Sequence, residues 1–257
     1  MSTCPGKTIH DPRGEVQMTE NDAAPQRFDP TKLDFETAYQ RSAIVEGVVL
    51  ERMPWEIGRP QPELLEAEKQ GRISGEVLDI GCGPGDSSVY LAGLGYRVTG
   101  LDIAPTAIEA ARRRAAEQNV TVSFGVADAT ELDGYENGFD TVVSSSLYHC
   151  LEPDKQRKYV AAMARVLRPG GRLIQFTFSK VPGSEAYSPF ASTEEEVRAA
   201  FAAPEWSIEE LRSGAVIATP LPPEAVAAMA PNGRLDVELD ADGMMVLPVF
   251  VLYAKRA

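Results

Sequence analysis

The sequence predicts a doubly wound α/β domain, in which helices cover both faces of a mostly parallel β-sheet. Short apolar runs alternate with amphipathic helical segments through the middle of the 257-residue chain. Three glycines at alternate positions, Gly81, Gly83 and Gly85, separate the apolar run 77–80 from a helix-compatible stretch at 86–94. A glycine turn between a strand and a helix lets the backbone approach a ligand and aims amide N–H groups at it.

The next apolar run, 98–101, ends in Asp102. Doubly wound nucleotide-binding folds keep a carboxylate for ribose hydroxyls about twenty residues after the glycine turn. Strand, glycine turn, helix, strand and acid together predict a nucleoside-binding half-site.

Helical periodicity predicts three further helices in the central part of the chain. Residues 62–70 begin with a proline and precede Gly71, and residues 104–118 and 155–167 each carry one apolar face. The cluster 168–171, Arg-Pro-Gly-Gly, ends the last of them. The other strands predicted here are 120–126, 139–144 and 173–178.

The pattern changes after Ser179. Residues 192–196 begin a helix with a cap and an acidic first turn. Strands are predicted at 213–219 and 249–253, with a hairpin turn at Asp242-Gly243. The segment 219–232 contains four prolines and is interpreted as an insertion near the site.

Composition narrows the classes of partner. A net charge of −13 repels phosphate backbones, and the only basic run, 112–114, is expected to be a solvated helix face, so nucleic acid is disfavoured as a partner. No apolar run reaches the length of a membrane helix, and residues 1–30 are predicted to form a flexible tail, with a lid as the alternative. Three scattered cysteines (Cys4, Cys82 and Cys150) predict neither a disulfide framework nor a zinc site, which fits a cytoplasmic protein.

The glycine spacing discriminates between nucleoside ligands. The dinucleotide pattern is G-x-G-x-x-G, whereas here the spacing is G-x-G-x-G and Asp86 occupies the place of the third glycine. Asp79 and Asp86 flank the turn, and two carboxylates disfavour a pyrophosphate but tolerate a cationic ligand.

The segment 79–85, Asp-Ile-Gly-Cys-Gly-Pro-Gly, closely resembles motif I of the class I S-adenosylmethionine (SAM) methyltransferases. Residues 100–104 resemble the acidic loop that follows in this family, and 127–129 resemble its acid-containing loop beside the adenine. Residues 139–143 resemble its fourth strand, and 167–173 its turn into the fifth. The five motifs stand in family order over residues 75–178.

The resemblance implies a Rossmann-like, mostly parallel seven-stranded sheet with one antiparallel strand near the C-terminus. It implies a single methyltransferase domain over residues 31–257. Within it, residues 31–72 would form a cap over the site, 73–180 the SAM-binding core, and 181–257 the C-terminal strands and acceptor-side insertions.

The resemblance also implies a set of cofactor contacts. Asp102 matches the acid that binds both ribose hydroxyls, Ile103 would pack on the adenine, and Asp128 with Ala129 would bind its amino group and ring. The alternative for each acid is an ordinary cap. The expected contacts are Trp55, Gln61, Asp79, Gly81, Cys82, Gly83, Gly85, Asp102, Ile103, Asp128, Ala129, Ser144 and Ser145.

The segment after the fourth strand, 144–150, bears on the acceptor. It lacks the Asn/Asp-Pro-Pro-aromatic motif of enzymes that methylate amide or nucleobase nitrogen, and it lacks the carboxylates of the metal-dependent catechol enzymes, so no metal is expected. His149 lies where small-molecule O-methyltransferases frequently place a histidine, and it is the candidate general base. The alternative is a packed, hydrogen-bonded and inert histidine.

Residues 53–62 resemble the Trp-x-x-Gly-x-Pro-Gln segment of the thiopurine, thiol and halide methyltransferases and of heterocyclic-toxin methyltransferases. That resemblance places Trp55 against the methionine or the acceptor ring; the alternative is a hydrophobic staple for the next helix. The expected acceptor pocket comprises Trp55, Tyr39, Tyr148 and His149, with Phe178 and Trp206 as further aromatic candidates.

The sequence therefore predicts a SAM-dependent methyltransferase of a small aromatic or heterocyclic acceptor, which would act in detoxification or secondary metabolism. Oxygen of an acidic ring hydroxyl is the first choice of acceptor atom, with sulfur or ring nitrogen behind it. The protein would be a monomer or a homodimer. Two alternatives stay open, a non-catalytic SAM-binding protein and a nicotinamide-dependent oxidoreductase.

Overall fold

The computed structural model describes residues 28–230 and 234–257, and the predicted tail at 1–27 lies outside them. Eight strands form one sheet in the order β3-β2-β1-β4-β5-β8-β6, and the short β7 also pairs with β8. The strands are β1 Glu76–Ile80, β2 Arg97–Asp102, β3 Ser123–Val126, β4 Phe139–Ser145, β5 Leu167–Phe178, β6 Trp206–Ala218, β7 Glu238–Leu239 and β8 Met245–Arg256. The helices are α1 Phe35–Arg41, α2 Pro62–Lys69, α3 Asp86–Gly93, α4 Pro105–Glu117, α5 Pro153–Val166, α6 Glu194–Ala200 and α7 Pro223–Met229.

Strand direction confirms the predicted architecture. Strands β1 to β5 run parallel to one another, whereas β8 pairs antiparallel with β5, β6 and β7. The seven strands of the continuous path match the predicted count, and the two-residue β7 adds an eighth. The carboxyl ends of β1, β2, β4 and β5 therefore meet at one edge, where ligands of open α/β sheets bind.

Two apolar layers cover the sheet, one on each face. One surrounds Tyr159 and Met163 of α5, and the other surrounds Leu64 of α2 and Phe176 of β5. Burial of both faces explains why the strands have nearly continuous apolar sequences. A third, smaller cluster around Ala38, Leu50 and Met53 joins the N-terminal cap to the domain.

The largest departures from the sequence prediction lie in three strands. β3 covers only the last four residues of the predicted run 120–126. The breaker at 168–171 ends helix α5 as predicted, but the chain continues extended, so β5 begins at Leu167. β6 begins at Trp206, seven residues before the predicted start, because residues 206–212 also pair with β8; charged side chains of this half form ion pairs on the edge strand.

The predicted C-terminal signals are confirmed. Thr193 and Glu196 form a reciprocal capping box at the start of α6. At the predicted Asp242-Gly243 turn, Gly243 adopts φ +76° and donates its N–H to the carbonyl of Asp240, which connects β7 to β8. The proline-rich segment from 219 contains helix α7, which the sequence analysis did not predict.

Within residues 28–230 and 234–257, no helix is long and apolar enough to cross a membrane.

Candidate functional site

The glycine turn uses its own N–H groups internally. The amides of Gly81 and Cys82 both donate to the carbonyl of Leu101, at 2.7 and 3.0 Å, and Gly85 donates to Cys82 at 3.0 Å. The amide of Gly83 donates to Asp102 Oδ2 at 2.8 Å, and position 84 is a proline without an N–H. The expectation that these amides point at a ligand is therefore wrong for this turn, which has no free donor for a phosphate.

The N-terminus of helix α3 is likewise occupied by a carboxylate. Asp79 at the end of β1 accepts from Ser88 Oγ at 2.5 Å and from the Ser88 backbone. Burial raises the pKa of Asp79 to about 6. With 1 % of its surface exposed, Asp79 holds α3 against β1 rather than contacting a cofactor, which corrects its predicted role.

Asp86 is neutralised by an arginine that the sequence analysis placed on a solvated face. Arg114 Nη1 lies 2.6 Å from Asp86 Oδ1 and donates to the carbonyl of Pro84 at 2.8 Å. The other oxygen of Asp86 accepts from the amide of Gly58 at 3.2 Å. Arg114 therefore stabilises the glycine turn. The only sign of this role in the sequence was the position of Arg114 beside the apolar face of α4.

Asp102 and Ile103 lie at the carboxyl end of β2, beside the glycine turn. Asp102 Oδ1 accepts from the amide of Ala104 at 2.9 Å, Oδ2 accepts from Gly83 at 2.8 Å, and the Ile103 amide donates to the same carboxylate, which still has room for a further donor. Burial raises the pKa of Asp102, and the N–H bonds from Ala104, Gly83 and Ile103 oppose that effect. Beside it, Ile103 exposes 54 % of its surface, a flat apolar area suited to a base.

One carboxylate oxygen of Asp128 caps the following turn, and the other is available to a ligand. Its Oδ1 accepts from the amide and the hydroxyl of Thr130, at 2.8 and 2.7 Å, which is the capping alternative considered from the sequence. No hydrogen bond between residues of the described ranges engages its Oδ2. Ala129 beside it is buried.

The geometry of this edge fits a cationic nucleoside. A ribose diol can donate to Asp102, an adenine can stack on Ile103, and the carboxylate of Asp102 suits a positive charge nearby. A pyrophosphate would find no free amide within residues 81–85. S-adenosylmethionine, which carries a sulfonium and no phosphate, meets these requirements.

The N-terminal cap covers the glycine turn. A Cβ added to Gly83, whose φ is +52°, would lie 3.0 Å from the hydroxyl of Tyr39. Trp55 Nε1 donates to that hydroxyl at 2.7 Å, and Phe35 packs edge-on against Trp55. At the other end of α1, Glu36 accepts from the amide and hydroxyl of Thr106 at the start of α4, at 3.0 and 2.7 Å. Tyr39 and Trp55 thus lie over the glycine turn, and their contact with a cofactor or an acceptor stays a prediction.

Gln61 pairs with the edge strand β6. Its Nε2 donates to the carbonyl of Ile217 at 2.9 Å, and its Oε1 accepts from the Ile217 amide at 2.8 Å. The side chain therefore pairs with β6 like an added strand residue. This pairing uses one N–H and one lone pair of the amide and leaves one of each, so the expected contact between Gln61 and the cofactor stays a prediction.

The loop after β4 contributes an unforeseen residue. Ser146 adopts φ +66°, a conformation that non-glycine residues rarely take, and so directs Leu147 over the first glycine of the turn. A Cβ on Gly81 would lie 3.1 Å from Leu147. Ser145 is half-buried at the strand end.

Three predicted contacts lie elsewhere. Ser144 is fully buried on the α5 face of the sheet, where Tyr159 donates to Gln175, so it does not reach the cofactor. The ring of Tyr148 packs in the core, 5.6 Å from Tyr159 and 5.8 Å from the ring of Phe201. Trp206 pairs with Arg256 at the amino edge of the sheet, opposite the site. Their side-chain directions depend on tertiary packing that the sequence pattern does not contain.

His149 is a buried, hydrogen-bonded residue. Its Nδ1 accepts the backbone N–H of Phe178 at 3.0 Å, and its ring stacks on the Phe178 ring at 3.8 Å with an interplanar angle of 15°. Burial lowers the pKa of His149 to about 3. These observations contradict the predicted general base, because the lone pair of Nδ1 is occupied and the cationic form is strongly disfavoured.

In the described part of the chain, no group of three or more His, Cys, Asp or Glu side chains could hold a metal ion.

The chain is similar to known methyltransferases. Residues 77–171 match the model of a methyltransferase domain. A 2-heptyl-1-hydroxyquinolin-4(1H)-one methyltransferase of Mycobacteroides abscessus is 40 % identical over 147 residues, which is 57 % of this chain and 64 % of that relative. An uncharacterized methyltransferase of Schizosaccharomyces pombe is 30 % identical over 43 % of this chain and 76 % of its own length.

One solved structure resembles nearly the whole chain. It comes from a study of the conversion of a disulfide bond into a thioacetal group during echinomycin biosynthesis. The two proteins are 32 % identical with a TM-score of 0.70, over 86 % of this chain and 90 % of the other.

Proposed function

Because the chain belongs to the SAM-dependent methyltransferases, we propose that it methylates a small aromatic or heterocyclic acceptor, first of all at the oxygen of an acidic ring hydroxyl. S-adenosylmethionine is the cofactor of this family and supplies an electrophilic methyl group on a sulfonium. Membership of this family also excludes a nicotinamide-dependent oxidoreductase, which the carboxylates flanking the glycine turn already disfavoured in the sequence.

The observation that carries the proposal is the glycine turn without free donors. Gly83 and Ala104 donate to Asp102, Ile103 is left exposed beside them, and Tyr39 covers the turn. This arrangement supports a nucleoside that donates hydrogen bonds and carries positive charge. It also leaves Leu147 above Gly81, between the turn and the carboxyl end of β4.

Two features support a flat acceptor. Phe35, Tyr39 and Trp55 form an aromatic cluster on the covering cap, and such rings bind aromatic ligands with little loss of conformational entropy. The relative of 40 % identity is named for a hydroxyquinolinone, a heterocycle with a hydroxyl on its ring nitrogen. The hydroxyquinolinone relative favours the heterocyclic-toxin group over the thiopurine group, whereas the Trp55 segment is common to both.

The chain's own contribution to catalysis is alignment. Methyl transfer is an in-line displacement, so holding the acceptor atom opposite the leaving sulfur and excluding water supplies much of the acceleration. We assign the covering role to Tyr39 and Trp55 and the shaping of the methyl path to Leu147. Residues 31–72 thus act as the cap of a single domain that extends to residue 257.

Sulfur is the second candidate for the acceptor atom. The structural relative of 32 % identity comes from chemistry in which a disulfide becomes a thioacetal, and it matches 90 % of its own length. A thiol or disulfide acceptor would use the same alignment and would need no base once the sulfur is nucleophilic.

Binding and turnover test the proposal together. Titration calorimetry should show micromolar binding of SAM and S-adenosylhomocysteine and no binding of NAD, and the Asp102→Asn variant should bind SAM at least tenfold more weakly. Glu109→Gln, an equal charge change on the exposed face of α4, is the matched control and should bind normally.

The acceptor is tested with a panel of hydroxyquinolinones, phenols, thiols and ring nitrogens, with the product identified by mass spectrometry. Preferential O-methylation of the hydroxyquinolinones supports the proposal. SAM binding without transfer to any member would contradict it and favour the non-catalytic SAM-binding alternative.

A further inference from the structure

The hydrogen bond between Phe178 and His149 fixes the tautomer of the imidazole. Because Nδ1 accepts the Phe178 N–H, its lone pair is occupied, and a neutral ring must then carry its proton on Nε2. Stacking on Phe178 holds the ring plane, so the direction of the Nε2–H is fixed as well.

The Nε2–H has no partner among the described residues. It makes no hydrogen bond there, and it is absent from the fully buried polar atoms that lack a partner. The side chain exposes only 4 % of its surface, so this small exposed part includes Nε2. His149 follows β4 at the edge where the glycine turn lies. The result is one oriented, partly accessible donor at the carboxyl edge of the sheet, where the glycine turn also lies.

We propose that the acceptor is methylated as an oxyanion that has already lost its proton to solvent, and that the Nε2–H of His149 donates a hydrogen bond to it and positions it. This inference rests on the proposed function. It narrows the substrate class to heteroaromatic hydroxyls and N-hydroxy lactams that ionise by themselves below the working pH. An ordinary phenol, with a pKa near about 10, falls outside it.

The transfer then needs no proton movement on the protein. A lone pair of the oxyanion forms the O–CH3 bond, the S–CH3 bond breaks, and its electron pair returns to sulfur. The products are a neutral ether and a neutral thioether. A base is unnecessary, which agrees with the occupied lone pair of Nδ1.

Among the described residues, the groups that flank His149 or contact its stacking partner Phe178 include no cation. Tyr148 and Cys150 flank it on its own turn, and Tyr187 packs edge-on against the Phe178 ring. Asp102, from the end of β2, lies close enough to act on Cys150. Since these groups are neutral or acidic, the charge complement of an oxyanion is the sulfonium, and neutral S-adenosylhomocysteine should hold the oxyanion less well.

Two amide variants separate donation from general base catalysis. In His149→Asn the side-chain oxygen can replace Nδ1 and accept from Phe178, but no group reaches the position of Nε2. In His149→Gln the amide N–H reaches that position. Donation predicts that Gln keeps a kcat/KM about ten to a hundred times above that of Asn. A general base predicts that both lose activity equally.

The pH dependence gives the second readout. With 1-hydroxyquinolin-4(1H)-one and substituted forms of graded acidity, the rising limb of kcat/KM should move with the pKa of each acceptor. A limb fixed at one pH for all acceptors would overturn the inference, and so would equal activity of the Gln and Asn variants. Thermal melts of both variants check that the fold is retained.

A binding experiment without turnover completes the test. The absorbance of 1-hydroxyquinolin-4(1H)-one bound to the protein with sinefungin, whose amine carries a positive charge, reports its ionisation directly. We expect the bound probe to ionise at lower pH than the free probe, and the shift to shrink in His149→Asn but not in His149→Gln. A bound neutral probe would refute the oxyanion, whereas failure of any hydroxyl acceptor to bind or react would refute the proposed function itself.

Discussion

The hydroxyl of Tyr39 accepts a hydrogen bond from Trp55 Nε1 at 2.7 Å while lying over Gly83 of the glycine turn. Burial raises the pKa of Tyr39 well above its usual value, so the hydroxyl stays protonated and keeps its own hydrogen for another acceptor. The hydrogen bond between Tyr39 and Trp55 joins α1 to the segment after it. Together they cover the glycine turn and approach it at Gly83, which has no side chain.

Gly83→Ala should therefore weaken cofactor binding by more than tenfold. The new Cβ would lie 3.0 Å from the Tyr39 hydroxyl, and the alanine would also be strained at φ +52°. Gly71→Ala is the matched control, because Gly71 has φ +66° and nothing lies within 4 Å of its Cβ position. Calorimetric titration with S-adenosylhomocysteine measures the difference.

Adding Tyr39→Phe to Gly83→Ala should restore part of the lost affinity, because the substitution removes the oxygen that meets the Cβ. If the double variant binds no better than Gly83→Ala alone, backbone strain and not the cover accounts for the loss.

Gln61→Ala should reduce stability without a comparable effect on cofactor affinity. It leaves both the amide and the carbonyl of Ile217 unpaired, at a cost of about 1–3 kcal/mol in the free energy of unfolding. Gln70→Ala, which removes two exposed bonds, one to Glu66 and one from Arg72, is the control and should change the free energy of unfolding by about 0.5 kcal/mol at most. Urea denaturation and a SAM titration of both variants check this. A large loss of SAM affinity in a stable Gln61→Ala protein would show that Gln61 contacts the cofactor, as expected from the sequence.

The contrast between Asp102 and Gln61 shows what the sequence could provide. The fold follows from alternating apolar strands and amphipathic helices, and Asp102 follows from its distance to the glycine turn, since both depend on local spacing. The side-chain directions of Gln61, Ser144 and Tyr148 could not be predicted, because they are set by contacts with β6 and α5, which are distant in sequence. Helix α1 was not predicted because its seven residues bury only Ala38.

Arg114→Gln should loosen the glycine turn. The change removes the ion pair with Asp86 and the bond to the Pro84 carbonyl, while Asp86 stays partly buried without its cation. We expect cofactor affinity to fall several-fold and stability by about 1 kcal/mol, since the pair is half-buried. Arg113→Gln, one residue earlier and exposed, should behave like the parent protein in the same titration. If Arg114→Gln and Arg113→Gln have the same cofactor affinity and stability, the whole basic run 112–114 is a solvated helix face and Arg114 does not stabilise the turn.

Asp79 should make the protein less stable as the pH rises from about 4 to about 6. Burial raises its pKa from 3.8 to about 6 in the folded state, so the unfolded chain loses the proton first. Between these values the folded state binds more protons, and the free energy of unfolding therefore falls with rising pH. A shift of this size corresponds to about 3 kcal/mol. That contribution is fully present below pH 3.8 and has been lost above the folded pKa.

Asp79→Asn should flatten this part of the stability profile, because the amide does not titrate and its oxygen still accepts from Ser88. Urea denaturation between pH 4 and pH 7 measures the difference between the two profiles, which cancels the other carboxylates, including Asp102. Asp133→Asn, at an exposed position, should leave the slope unchanged. Parallel profiles for the parent protein and Asp79→Asn would mean that Asp79 ionises normally despite its burial, and that the α3 N-terminus stabilises its charge.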